Sequence, residues 1–134
     1  MSSNPAKPLL VNSIAGVDIR DLTKFYDTPI FIYDAATIID RLRSLQKFDF
    51  VRFAQKACSN LSVLNLLRKN GALVDAVSGN EVRRALEAGY SPEGSPPPIV
   101  YTADIFDRDA LAICIEKNIH VNCGSIDMIS QYGQ

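Results

Sequence analysis

Phe53-Ala54-Gln55-Lys56-Ala57-Cys58-Ser59-Asn60, followed by an apolar run that ends at Gly71, decides the fold class of this chain. Phe50, Val51 and Phe53 read as a short buried strand, because β-branched and aromatic side chains fit a pleated, half-buried surface. Ser59 or Asn60 then caps a helix whose Leu61, Leu64 and Leu67 recur on one face. Lys69 closes the last turn, and Asn70-Gly71 supplies a left-handed stop. Lys56 therefore falls in the loop between the carboxyl end of a strand and the following helix. In βα architectures that rim is where chemistry is done. A lysine there can form a Schiff base with a carbonyl cofactor, provided its neighbours keep the amine from being a permanent ammonium. The competing assignment is a solvated surface charge, which is what most lysines are.

Outward from this unit the pattern repeats. Ala72 to Val77 is a second apolar strand interrupted by Asp75, and Ser78-Gly79-Asn80-Glu81 has the serine-to-glutamate spacing of a capping box. Val82, Ala85 and Leu86 face inward on the helix it opens, and Gly89 stops that helix. The loop with Pro92, Gly94, Pro96, Pro97 and Pro98 is too rigid and donor-poor for regular structure. Ile99 to Tyr101 is a third strand. Asp107 caps a helix expected to bury Leu111, Cys114 and Ile115 and to end at Lys117-Asn118. Ile119 to Asn122 is a fourth strand, and Ser125 starts a last helix carrying Ile126 and Ile129. Strands and helices alternating at a pitch of about 20 to 25 residues argue for parallel βαβ units.

Upstream, Met1 to about Pro8 reads as a loose terminus, and Val17 and Ile19 are expected to pack locally. Asp21 to Tyr26 is expected to form a short helix before the Asp27-Thr28-Pro29 break. Ile30 to Tyr33 reads as a strand. Asp34 caps the following helix, whose Ile38, Ile39, Leu42 and Leu45 keep amphipathic spacing.

Fourteen basic residues against 15 acidic ones give no electrostatic footprint for nucleic acid or a membrane surface. Cys58, Cys114 and Cys123 form no Cys-x-x-Cys pair and are odd in number, so they read as reduced thiols and not as a disulfide or metal framework. The first twenty or so residues lack a signal-peptide apolar region and no run is long enough to span a bilayer, which makes the cytoplasm the expected compartment. A Gly-x-Gly-x-x-Gly turn and a Walker-type loop are both missing, leaving a nucleotide fold without support.

The run Phe53-Ala54-Gln55-Lys56-Ala57-Cys58, then Val63-Leu64, Leu67 and Gly71, resembles the cofactor-lysine signature of the alanine-racemase-like, type III decarboxylases that use pyridoxal 5'-phosphate. That family includes the diaminopimelate, ornithine and arginine decarboxylases. Thr28-Pro29-Ile30-Phe31-Ile32-Tyr33-Asp34 is similar to the family's entry segment. The fold this implies is α/β: the N-terminal part of an alanine-racemase-like (β/α)8 TIM barrel, about four βα units, preceded by one strand and helix associated with the family's β-domain. It divides the chain into an N-terminal segment over residues 1–28, a linking strand and helix over 29–46, and a partial cofactor-binding barrel over 47–134.

By the same resemblance Lys56 is the catalytic, cofactor-holding lysine. Asp75, in Val74-Asp75-Ala76-Val77-Ser78-Gly79, stands where the family places an acidic residue. On parallel strands in register its carboxylate could approach the Lys56 amine; otherwise it is a strand-terminal turn cap. Ser78, Gly79 and Glu81 match a family turn in which Asn80 replaces a glycine, and helix initiation is their expected job. Cys58 stands where many relatives carry asparagine, and no nucleophilic role is assigned to it. His120, the lone histidine, is expected to be a hydrogen-bonded structural residue within its strand. Tyr101-Thr102-Ala103-Asp104 departs from the family pattern, so no role is carried over to that loop.

Lys56-Ala57-Cys58-Ser59-Asn60 together with Val74-Asp75-Ala76-Val77-Ser78 looks most like the diaminopimelate branch. The resemblance implies a small amino-acid substrate, loss of carbon dioxide to give L-lysine, no metal, and a homodimer with its active site at the subunit interface. An ornithine- or arginine-type decarboxylase and a non-catalytic fragment pairing with a full-length relative are the alternatives. A closed barrel takes about 250 residues. With 134, the expectation is a truncated part of a longer enzyme, inactive by itself.

Overall fold

The computed structural model describes residues 11–133, so the expectation for Met1 to Pro8 lies outside the described residues. An antiparallel hairpin comes first, β1 (Ser13–Ile14) and β2 (Val17–Asp18). Its two-residue turn puts Ala15 at φ 51° and Gly16 at φ 80°, the backbone that matches the twist of paired strands. Asp18 then accepts a hydrogen bond from the Arg20 amide and opens α1 (Ile19–Leu22). This cap starts the helix earlier than the expected Asp21–Tyr26, and only turns follow it.

Ile30 to Tyr33 forms no strand. Its backbone meets no partner edge among the described residues, and Phe31 is 92% exposed. The expected leading strand is thus corrected, whereas the helix behind it holds: α2 (Ala35–Arg43) begins at Asp34, whose carboxylate accepts from the Ala36 amide.

The rest is a parallel sheet with helices on one face. Strands β3 (Arg52–Ala54), β4 (Leu73–Ala76), β5 (Ile99–Tyr101) and β6 (His120–Val121) lie in sequence order. Every neighbouring pair is parallel. The crossovers are α3 (Leu61–Lys69), α4 (Gly79–Glu87) and α5 (Arg108–Glu116), and α6 (Ile126–Tyr132) follows β6. Four βα units in order are the expected partial barrel.

Side-chain alternation sorts the sheet into two faces. Val74, Ala76, Ile99 and Tyr101 point at the helices and form the main core with Leu64, Val82, Ala85, Ala110, Ile113 and Cys114. A smaller cluster of Val63, Leu67 and Ala72 receives Ile38 and Leu42 of α2, and Phe53 touches both clusters. Three apolar assignments shift. Phe50 is 62% exposed because pairing starts at Arg52; Leu61, at 37%, lies beside the buried stripe of Val63, Leu64 and Leu67; and Ile115, at 53%, yields to Ala110, Ile113 and Cys114.

Candidate active site

The sheet face opposite the helices carries the polar side chains. Strand register sets Ala54, Asp75, Val100 and His120 side by side in one row across it. Lys56 stands two residues beyond Ala54, in a single 3-10 turn, Gln55–Ala57, at the carboxyl end of β3. Its side chain is exposed. Lys56 thus follows the carboxyl end of β3, and Asp75 lies on the neighbouring strand opposite Ala54.

Local hydrogen bonds explain why the turn takes this shape. The Gln55 carbonyl accepts from the Cys58 amide at 2.9 Å and from the Ser59 hydroxyl at 3.1 Å. Asn60 then caps α3, its side-chain oxygen accepting from Ser62 N at 2.9 Å and Val63 N at 3.2 Å. From the neighbouring helix, Arg84 Nε donates to the Ser59 carbonyl at 2.8 Å. The Cys58 thiol sits 3.6 Å from the Tyr33 phenol, tying the entry segment to the lysine turn, and this contact pushes the Tyr33 pKa up.

Asp75 is half-buried, and its Oδ1 accepts a hydrogen bond from the Thr102 hydroxyl. Strands β3 and β4 are parallel with Ala54 opposite Asp75, the condition under which an approach to Lys56 was expected. Even so, among the described residues no Lys56–Asp75 ion pair is formed. The register sets Asp75 opposite Ala54, two residues before Lys56, with no direct bond between lysine and carboxylate.

Three neighbours carry no signal in a linear reading. Thr102 follows β5 and is held by its amide on the Ala76 carbonyl at 2.9 Å; parallel register alone relates it to Asp75. Arg52 lies two residues before Ala54, with Nη1 on the Val74 carbonyl at 3.2 Å and Nη2 on that of Pro97 at 2.6 Å. Burial lowers the Arg52 pKa, and the negative charge of Asp75 counters that. Gln55 is fully buried beneath the lysine turn, its side-chain amide without a hydrogen-bond partner among the described residues.

The remaining candidates are placed as follows. His120 is exposed on the open face and takes no side-chain hydrogen bond from a described residue, contrary to the structural bond expected of it. A strand of only two residues leaves it at the sheet edge. Ser78 caps α4 by accepting from Glu81 N at 3.2 Å, and the Glu81 carboxylate accepts from Val77 N at 2.8 Å, one residue earlier than a standard capping box. That supports helix initiation as their job. Among the described residues no group of three or more His, Cys, Asp or Glu is placed to hold a metal ion, and no helix is long and apolar enough to cross a membrane.

A primary amine exposed just past a strand's carboxyl end fits the aldehyde end of pyridoxal 5'-phosphate. The family model described as "Pyridoxal-dependent decarboxylase, pyridoxal binding domain" matches residues 35–134. Diaminopimelate decarboxylase of Streptomyces coelicolor is 44% identical over 132 residues, covering 98% of this chain and 30% of that protein. Diaminopimelate decarboxylase of Escherichia coli K12 is 49% identical over 109 residues, 81% of this chain and 26% of that protein. A crystal structure of diaminopimelate decarboxylase superposes with a TM-score of 0.80 at 48% identity, over 84% of this chain and 27% of that one. The chain thus spans less than a third of the length of each.

Proposed function

The chain belongs to the pyridoxal-dependent decarboxylases through their pyridoxal-binding domain, and from that premise we propose that it forms the amino-terminal part of an enzyme converting meso-diaminopimelate to L-lysine and carbon dioxide. One observation supports this most directly: the exposed Lys56 stands just past the carboxyl end of β3, whose last residue Ala54 is paired with Asp75 of the neighbouring strand. Relatives named diaminopimelate decarboxylase supply the substrate.

In this reading Lys56 Nζ is the amine that would hold pyridoxal 5'-phosphate through its aldehyde carbon. Asp75 is the carboxylate that compensates positive charge at that nitrogen, with its orientation set from the β5 side. When bound, pyridoxal phosphate would supply an electron sink for the loss of the substrate carboxylate as carbon dioxide. A proton then replaces the lost group at Cα, so that diaminopimelate and one proton give lysine and carbon dioxide. The helix layer excludes water from one side of the sheet; cofactor and substrate would enter at the carboxyl ends of the strands, where Lys56 stands. The same family reading carries a homodimer with its active site at the subunit interface, in the cytoplasm.

The test is reductive trapping. The chain is mixed with pyridoxal phosphate, reduced with borohydride, and the adduct mapped by mass spectrometry. Label concentrated on Lys56 and lost in Lys56→Ala is expected. Label spread equally over Lys24, Lys47 and Lys69 would overturn the assignment. Because the chain spans less than a third of its relatives, it is expected to show no turnover of diaminopimelate when purified alone.

A further inference from the structure

We propose that Thr102 is a positioning residue for Asp75, holding its carboxylate at the rim beside Lys56 against the pull of Arg52. The inference rests on the cofactor reading of Lys56 and extends it to a loop for which the sequence offered no role. A carboxylate turns broadly about its last torsion, so a single backbone position does not aim its two oxygens. Two charged or polar groups on the open face compete for Asp75. Below it, towards the amino ends of the strands, Arg52 stands one row earlier, paired with Leu73, and the Asp75 charge is felt at its guanidinium. Above it, Thr102 donates its hydroxyl to Oδ1.

The two groups are differently committed. Arg52 spends its Nη1 and Nη2 on the Val74 and Pro97 carbonyls, which anchors it at the lower end of the sheet. Thr102 is pinned through its own amide to the Ala76 carbonyl at 2.9 Å, one residue beyond Asp75 on the same strand. Its β-branched side chain has few rotamers, so the pinned backbone presents the hydroxyl from a nearly constant place. One oxygen of Asp75 is thereby occupied from the β5 side, and the other is left for a group arriving from the β3 side, where Lys56 stands. Removing the hydroxyl frees the carboxylate to turn towards Arg52.

The experiment follows the rate of borohydride-trapped labelling of Lys56 by pyridoxal phosphate in four variants of the whole chain. Thr102→Val keeps shape and removes the donor, and is expected to slow labelling about tenfold, the effect of one hydrogen bond to a charged group. Thr102→Ser keeps the donor and is expected to stay within about twofold of the parent, on the same reasoning. Asp75→Ala is expected to be slowed, and adding Thr102→Val to it should change nothing further, since the hydroxyl acts only through the carboxylate. Equal labelling of the parent and a folded Thr102→Val overturns the proposal, as does an undiminished Thr102→Val effect in the Asp75→Ala background. Thr102→Ala replaces the valine variant if that one fails to fold, with the same expected slowing. A parent that takes no label on Lys56 overturns the cofactor reading itself, a result distinct from the failure of Thr102 alone.

Discussion

From residue 11 to residue 50 no side chain is buried, whereas the βα layer behind it buries residues from Gln55 to Met128. Both regions hold regular structure, yet by different means. The leading region is held by local bonds, Asp18 on the Arg20 amide at 2.8 Å, Asp34 on the Ala36 amide at 3.0 Å and Lys24 on Asp21 at 2.7 Å, and by the half-buried Ile38 and Leu42 of α2 against the smaller cluster. Such exposed bonds compete with water and hold the chain only locally. The βα layer adds a core in which Leu64, Val74, Val82 and Ile99 are fully shielded from solvent. Burying one such side chain contributes about 1.5–3 kcal/mol. The difference teaches where the lysine turn gets its rigidity: from the packed side, through Gln55, Asn60 and Arg84, with the entry segment adding only the Tyr33–Cys58 contact.

Leu64→Ala and Phe31→Ala make the sharpest test of that contrast. Leu64 is fully buried and Phe31 is 92% exposed. Truncating the first is expected to cost about 2–5 kcal/mol in chemical denaturation, and truncating the second about 0.5 kcal/mol or less. Similar costs would mean that the leading region is docked as firmly as the core.

Gly79→Ala probes the packed side at its tightest seam. A Cβ there would stand 2.6 Å from Asp109 Oδ2 and 3.1 Å from the Ala110 backbone. Arg83 holds that carboxylate in place with bonds of 2.5 and 2.6 Å and keeps its pKa low. The backbone cannot yield as a side chain can, and a loss of about 1–3 kcal/mol is expected from overpacking between α4 and α5. Retained stability would show that these helices are freer to slide than their contacts indicate.

A further expected effect is a pH dependence centred on the βα layer. Burial pushes the Cys114 thiol from its ordinary 9.0 up to about 11 and the Tyr90 phenol from 10.0 up to about 12. Both groups bind their protons more tightly when folded than when unfolded. Their contribution is therefore fully present below the unfolded values and is lost as pH climbs through the folded ones. Denaturant midpoints are expected to fall between about pH 9 and pH 12, with a shallower slope in Tyr90→Phe. An identical slope in that variant would remove Tyr90 from the account.

Much of the candidate site is legible along the chain. The residue types at Phe53, Asn60 and Gly71 suffice to place Lys56 after a strand and before a capped helix, since capping and strand preference act over a few residues. The same local rules identify Asp34, Ser78, Asp107 and Ser125 as caps, and all four accept the bonds expected of them. They mislead at Ile30–Tyr33, where an apolar run has strand composition and no edge to pair with. A strand is a pairwise object, and composition supplies only half of the pair.

Local capping and apolar periodicity, which depend on residues within one or two turns, were enough by themselves to set the alternating α/β order and the loop that carries Lys56. The three-dimensional arrangement alone decided that Asp75 is bonded to Thr102 and not paired with Lys56, that Arg52 sits beneath them, and that Gln55 is sealed under the lysine turn. The Arg52 and Thr102 bonds join residues 22 to 45 positions apart, and they exist only once parallel strands have been laid side by side in register.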